Sequence, residues 1–461
     1  MISRIFSMLI CLLLTRAAIG QQLHFETDSL GKVLQRARQL QKPVFLLFES
    51  LPPSTGLTKQ EIAQRYRSGL NEVTVVRVLQ QDFLSVKVSI SNPEGRRLAR
   101  QYRITTFPTY LYLHPDGTVL HRSFGNTSEA SRYLLDIDTF RRKLTAPDNL
   151  SVLEQRYAQG ERNMSFLRQY IEARRSVGAF ISPELLDSYV RELPVKAFEE
   201  FAQVLFVYQC GPLVDSRAYR LARLNQRLID SIYTTLPLAS RTALNDAIIS
   251  NTMQAAIKGK DERLAQRGAD FARGSWRSSR SYVLAQHAYS QNMLFYYRAV
   301  NDTARYLPLL SSFYEQYYMA MPADSVRKWQ KLLQDNRTQF RAATPYPNLS
   351  QSDASVTTQL IANPRSPDPL AADLNNGAWA VYKSGTRRST YLTQALRWSQ
   401  RSVALQPQAA YYDTLAHLLY ALRLHAEAEA TEQQAIAQAK KEGRPIEGFQ
   451  QALRKIKTRT L

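Results

Sequence analysis

The sequence predicts an α/β domain followed by an all-helical region. Strand-like runs alternate with helix-period segments across residues 22–145, whereas beyond about residue 150 the apolar residues recur only at helix spacing. At 461 residues the chain is also longer than one compact domain. Apolar residues make up 44%, aromatics 10% and charged residues 21%, enough to bury several cores; this excludes fibrous and wholly unstructured chains.

In the first domain, Leu30, Val33, Leu34, Ala37 and Leu40 mark a helix over residues 30–40. Val44-Phe45-Leu46-Leu47-Phe48 is a continuous apolar run, as expected of a central strand covered on both faces. Thr58 with Glu61 forms a capping box that opens a helix through Tyr66. Val86-Lys87-Val88-Ser89-Ile90 alternates like a half-buried strand, and residues 94–102 read as a helix. Thr109-Tyr110-Leu111-Tyr112-Leu113 and Thr118-Val119-Leu120-His121 flank His114-Pro115-Asp116-Gly117, a hairpin signal because Pro and Gly supply the dihedrals of a tight turn. A helix over residues 128–144 closes the unit, with the boundary at Thr145-Ala146-Pro147-Asp148.

Lys42-Pro43-Val44-Phe45-Leu46, the loop Tyr102-Arg103-Ile104-Thr105-Thr106-Phe107-Pro108-Thr109, the Pro115-Asp116-Gly117 turn and Gly125 follow one another in an order that resembles the thioredoxin fold. The resemblance covers residues 21–145 and is to exported bacterial thioredoxin-like proteins. It implies a cis proline at Pro108 and a peptide-binding groove lined by Phe107 and Pro108, in which an extended peptide pairs with the backbone before the proline. One departure is decisive. Relatives carry Cys-x-x-Cys after the central strand, but residues 49–59 here read Glu-Ser-Leu-Pro-Pro-Ser-Thr-Gly-Leu-Thr-Lys, without cysteine. A hydroxyl such as that of Ser54 or Thr55 cannot exchange with a disulfide.

Residues 1–20 read as an export signal: Arg4, an apolar run from Ile5 to Leu14, and Ala18-Ile19-Gly20 before cleavage. The run is too short to span a bilayer, and no later segment is apolar for long enough, so no membrane span is expected. Cleavage removes Arg4, Arg16 and Cys11, taking the net charge from +21 to about +19 and leaving Cys210 as the sole cysteine. A lone thiol forms no internal disulfide, so stability must come from packing. The expected location is the periplasm or extracellular space. Six Asn-x-Ser/Thr sequons, beginning at Asn126, Asn149, Asn163, Asn301, Asn336 and Asn348, read as chance in such a setting.

Residues 150–344 form a helical domain, with pairs such as Phe166-Leu167-Tyr170-Ile171 and Leu185-Leu186-Tyr189-Val190, and Ser182-Pro183-Glu184 as a helix start. Residues 345–370 read as a linker. In residues 371–461, Trp379, Tyr382, Ala395, Pro407, Leu415, Ala416, Leu419, Ala428 and Ala435 resemble degenerate tetratricopeptide repeats, although Ser402 stands where a second alanine is expected.

No phosphate loop, dinucleotide fingerprint or nucleophile turn occurs. His24, His114, His121, His287, His417 and His425 are scattered without His-x-x-x-His spacing, so neither a metal nor any other cofactor is expected. Cys210, in Gln209-Cys210-Gly211-Pro212, is expected to pack as a small hydrophobe, its alternative being a reactive thiol. The dispersed arginines argue for a solvated surface with weak polyanion association, not specific nucleic-acid binding. The expected function is therefore a redox-inactive, thioredoxin-like protein-binding or scaffold protein with a protein or peptide partner, not an enzyme. The alternative is a thiol-disulfide oxidoreductase-related enzyme using Cys210 or a partner dithiol protein.

Overall fold

The computed structural model describes residues 23–49, 67–276, 282–320, 322–328, 331 and 368–461. The export segment, the helix expected over 58–66 and the linker core at 345–367 lie outside them. The chain divides into two compact units, Met1–Leu193 and Pro194–Leu461. The unit boundary thus falls later than the composition shift near residue 145.

The first unit is built on a four-stranded mixed sheet. Its strands are β1 (Val44–Glu49), β2 (Leu84–Ser89), β3 (Thr109–Leu113) and β4 (Val119–Phe124), in the order β2-β1-β3-β4. β1 runs parallel to β2 and antiparallel to β3, and β3 pairs antiparallel with β4. Being central, β1 is covered on both faces, which is why it reads as an unbroken apolar run. On one face Val44, Leu46 and Phe48 pack with Leu111 and Leu113 under the helices α1 (Leu30–Leu40) and α3 (Pro93–Gln101). On the other, Phe45 meets Tyr110 and Tyr112 at ring-centroid distances of 6.2 and 5.2 Å. Tyr112 and Phe83 both touch Phe140 of α4 (Ala130–Thr145).

The hairpin closes as its sequence requires. His114 N–H donates to Thr118 O and Gly117 N–H to His114 O, both at 2.8 Å, and Gly117 takes φ 101°, a conformation other residues adopt at a cost. The sequence reading assigns no element to the helix α2 (Val73–Asp82), whose first turn, Val73-Thr74-Val75-Val76, is a β-branched run of modest helix propensity. Burial of Val75, Val76 and Leu79 on one face offsets that modest propensity.

Three helices continue the unit: α5 (Leu150–Ala158), α6 (Met164–Ser176) and α7 (Pro183–Glu192). Ser151 and Thr118 hydroxyls donate to Asp116 and Glu154 carboxylates, tying α5 to the hairpin turn and explaining why these helices group with the sheet. At α7 the Ser182 Oγ accepts from Leu185 N–H at 3.2 Å, the expected cap.

The second unit is helical throughout its described elements: α8 (Phe201–Gln209), α9 (Arg217–Ala222), α10 (Gln226–Thr235), α11 (Leu238–Gly259), α12 (Glu262–Gly274), α13 (Tyr282–Ala299), α14 (Thr303–Tyr314), α15 (Pro369–Lys383), α16 (Ser389–Leu405), α17 (Ala409–Ala421), α18 (His425–Glu442) and α19 (Glu447–Lys457). Small residues let these helices approach closely. Tyr314 stacks on Trp398 at 4.7 Å, and a Cβ added to Gly377 would lie 2.3 Å from the Tyr314 ring. Ala395, Ala416, Ala428 and Ala435 have no solvent exposure. Ser402, the departure from alanine, is also buried and donates to Ala371 O at 2.7 Å, so its hydroxyl carries no desolvation penalty. No described helix is long and apolar enough to cross a membrane.

Candidate functional site

The loop into β3 is shaped by its own polar contacts. The Phe107–Pro108 peptide is cis. Thr109 Oγ1 donates to Thr106 O at 2.6 Å, and Gly125 N–H donates to Pro108 O at 2.9 Å. Phe107 is half-buried against the core under α1 and α3, Pro108 is half-buried, and Thr105 and Thr106 are exposed. Among the described residues, no backbone hydrogen bond uses the N–H or the carbonyl of Phe107. An exposed loop with one unspent donor and acceptor can pair with an extended chain. Ser54 and Thr55 lie outside the described residues.

Cys210 lies in the other compact unit, at the C-terminal end of α8. It is 5% exposed, and its N–H donates to the carbonyls of Phe206 and Val207. Among the described residues it forms no disulfide. Burial among the apolar residues of α8 holds the thiol away from solvent, whereas a nucleophile needs access and a stabilised thiolate.

His121 and His114 of the first unit are engaged structurally, whereas His24 is exposed. His121 Nε2 meets Asp136 Oδ1 at 2.9 Å, Ser123 Oγ donates to Asp136 Oδ2 at 2.7 Å, and Arg132 Nε lies 3.5 Å from the same oxygen. Asp136 is buried, and both of its oxygens are partnered. His114 Nδ1 accepts from Asp116 N–H at 3.3 Å.

A second histidine–carboxylate group escaped the sequence reading. Asp413 and His417 stand one turn apart on α17, and Glu432 faces them from α18. One oxygen from each carboxylate and one ring nitrogen lie within 4.8 Å of one another, and among the described residues this is the group able to hold a metal ion. His417 Nδ1 donates to Asp413 O at 2.8 Å, and its ring meets Trp379 and Tyr382 edge-on. Glu432 has no solvent exposure, and no N–H or neutral hydroxyl donates to either of its oxygens; its hydrogen-bond contact is with the Asp413 carboxyl. Burial, then the neighbouring Asp413 charge, pushes the Glu432 carboxyl up to about 8. Burial also raises Asp413, against the opposing pull of His417. The signal was present as Asp-x-x-x-His at positions 413 and 417; a search for His-x-x-x-His passes over it, and only the pairing of α17 with α18 brings in Glu432.

No family model and no curated protein matches the chain. Among solved structures it is similar to one titled DsbH Oxidoreductase, at 20% identity over 28% of this chain and 90% of that one, with a TM-score of 0.22. It is also similar to a thioredoxin from Thermus thermophilus, at 25% identity over 27% of this chain and 92% of that one, with a TM-score of 0.23. Both names are of the thioredoxin kind and both matches cover a small part of the chain. At such TM-scores neither bears on activity; the description of an α/β domain followed by a helical region rests on the strand order, the register and the helices above.

Proposed function

We propose that this chain is a redox-inactive, thioredoxin-like protein-binding or scaffold protein of the cell envelope, exported and acting on a protein or peptide partner. The observation that carries the reading is the absence of cysteine from residues 49–59, joined to the burial of Cys210 in the other unit. Disulfide exchange needs an accessible thiolate and, for turnover, a second thiol to resolve the mixed disulfide. With the export segment and its Cys11 removed, the reading leaves only the buried Cys210. The backbone of Phe107, which makes no hydrogen bond among the described residues, supports binding by strand addition, and the close-packed helices of the second unit, which resemble tetratricopeptide repeats, suit a scaffold. The burial of Cys210 weighs against the thiol-enzyme alternative, and the dispersed basic charge is read as surface solvation with weak polyanion association.

The test is fluorescence anisotropy with a labelled, permanently unfolded polypeptide. The expected result is saturable binding that weakens at least tenfold in Thr106→Arg, which crowds the exposed loop without touching the core. Binding that is absent, or unchanged by that substitution, contradicts the assignment of the groove.

A further inference from the structure

Glu432 presents a chemical problem that its surroundings do not solve. A carboxylate with no solvent exposure normally accepts hydrogen bonds at both oxygens, yet no N–H or neutral O–H donor reaches either one, and its hydrogen-bond contact is with another carboxyl, Asp413. The group facing it is a second carboxylate, Asp413, which by charge alone makes matters worse. His417 completes the cluster, with its ring fixed by the Nδ1–H bond to Asp413 O. Two carboxylates and one imidazole converge within 4.8 Å, and side-chain rotations of a few tenths of an ångström or more would draw them to the separations of about 3.3–3.6 Å that ligands about 2.0–2.2 Å from one zinc ion take. Beside them is a cavity of about 350 Å³ lined by Asp413, His417, Phe449, Ala452 and Lys455, which gives a path from solvent.

From this geometry we infer that Asp413, His417 and Glu432 form a binding site for a divalent transition-metal cation, with zinc the ion that suits the donors best. A dication takes the place of the proton held between Asp413 and Glu432, compensates both carboxylates and gives the oxygens of Glu432 a partner other than the acid facing them. Mixed imidazole and carboxylate donors favour zinc over magnesium or calcium, which take oxygen ligands. A hydrogen bond from a ring nitrogen to a main-chain carbonyl is the usual way a metal-binding histidine is held in place. Three protein ligands leave a fourth position open toward the cavity, where water completes the coordination. The site ties α17 to α18 and is independent of the loop at Phe107.

The experiment is isothermal titration of the tag-free full chain with zinc chloride, paralleled by cobalt(II) absorption. One equivalent is expected to bind with a micromolar or tighter dissociation constant, with visible cobalt bands of the intensity that four- or five-coordination gives. Glu432→Gln, which keeps shape and removes charge, is expected to weaken zinc by roughly tenfold or more, and His417→Gln by a similar factor with loss of the cobalt spectrum. Should Glu432→Gln fail to fold, His417→Gln carries the comparison. Absence of zinc binding in the unaltered chain overturns the site and leaves the two carboxyls sharing a proton. Binding that persists unchanged in the substituted chains overturns it equally, because the ion then sits elsewhere.

Discussion

Each unit of the molecule buries an acidic residue beside a histidine, and the two solve the cost differently. In the first, Asp136 is held by His121, Ser123 and Arg132, so every oxygen is used. In the second, Glu432 faces Asp413 and His417, and no N–H or neutral hydroxyl reaches its oxygens, only the competing carboxyl of Asp413. A buried carboxylate held by donors is a structural pin, whereas one that meets only another acid favours an added cation. The same residue types therefore mean different things, and the hydrogen-bond inventory around each acid separates them.

Asp136→Ala is expected to give the largest effect, costing about 3–5 kcal/mol, because it leaves His121 and Arg132 without their buried partner. Thermal or denaturant unfolding of the variant checks it; a cost below about 1 kcal/mol would break the contrast with Glu432. In the second unit, Gly377→Val forces a side chain into the Tyr314 ring and is expected to cost about 1–3 kcal/mol or more, read the same way.

The contrast also predicts a pH dependence. Native Glu432, raised to about 8 from an ordinary value of 4.5, holds its proton more tightly than the unfolded chain does. Asp413, also raised by burial, acts in the same direction, while His417 on α17 opposes it. Stability from the pair is thus full below about pH 4.5 and is lost as pH rises through about 8. The melting temperature of the metal-free chain should fall across that window, and Glu432→Gln should remove much of the fall. Smallest of all, Cys210→Ala should cost about 1 kcal/mol of packing and leave peptide binding unchanged, as an anisotropy titration would show.

Legibility differed between the units for physical reasons. The first was readable because sheet elements carry local signatures: the apolar run at 44–48, the Pro115-Asp116-Gly117 turn and the proline at 108 each constrain backbone within a few residues. Among its described elements α2 had no sequence assignment, since the burial of Val75, Val76 and Leu79 that holds it is a tertiary effect. In the second unit helix spacing revealed helices but not their partners. Asp413 and Glu432 are nineteen positions apart, and their meeting depends on how α17 packs against α18. Phe107 and Pro108 were visible as a motif; the unspent backbone at Phe107 was not, because hydrogen-bond use is a property of the folded loop.

The central claim is that this α/β domain carries no disulfide chemistry, and reduction of insulin disulfides in the presence of dithiothreitol tests it most directly. The account predicts that the purified chain, with or without Cys210, leaves the rate at that of dithiothreitol alone. A rate that rises in proportion to the concentration of this protein would contradict it.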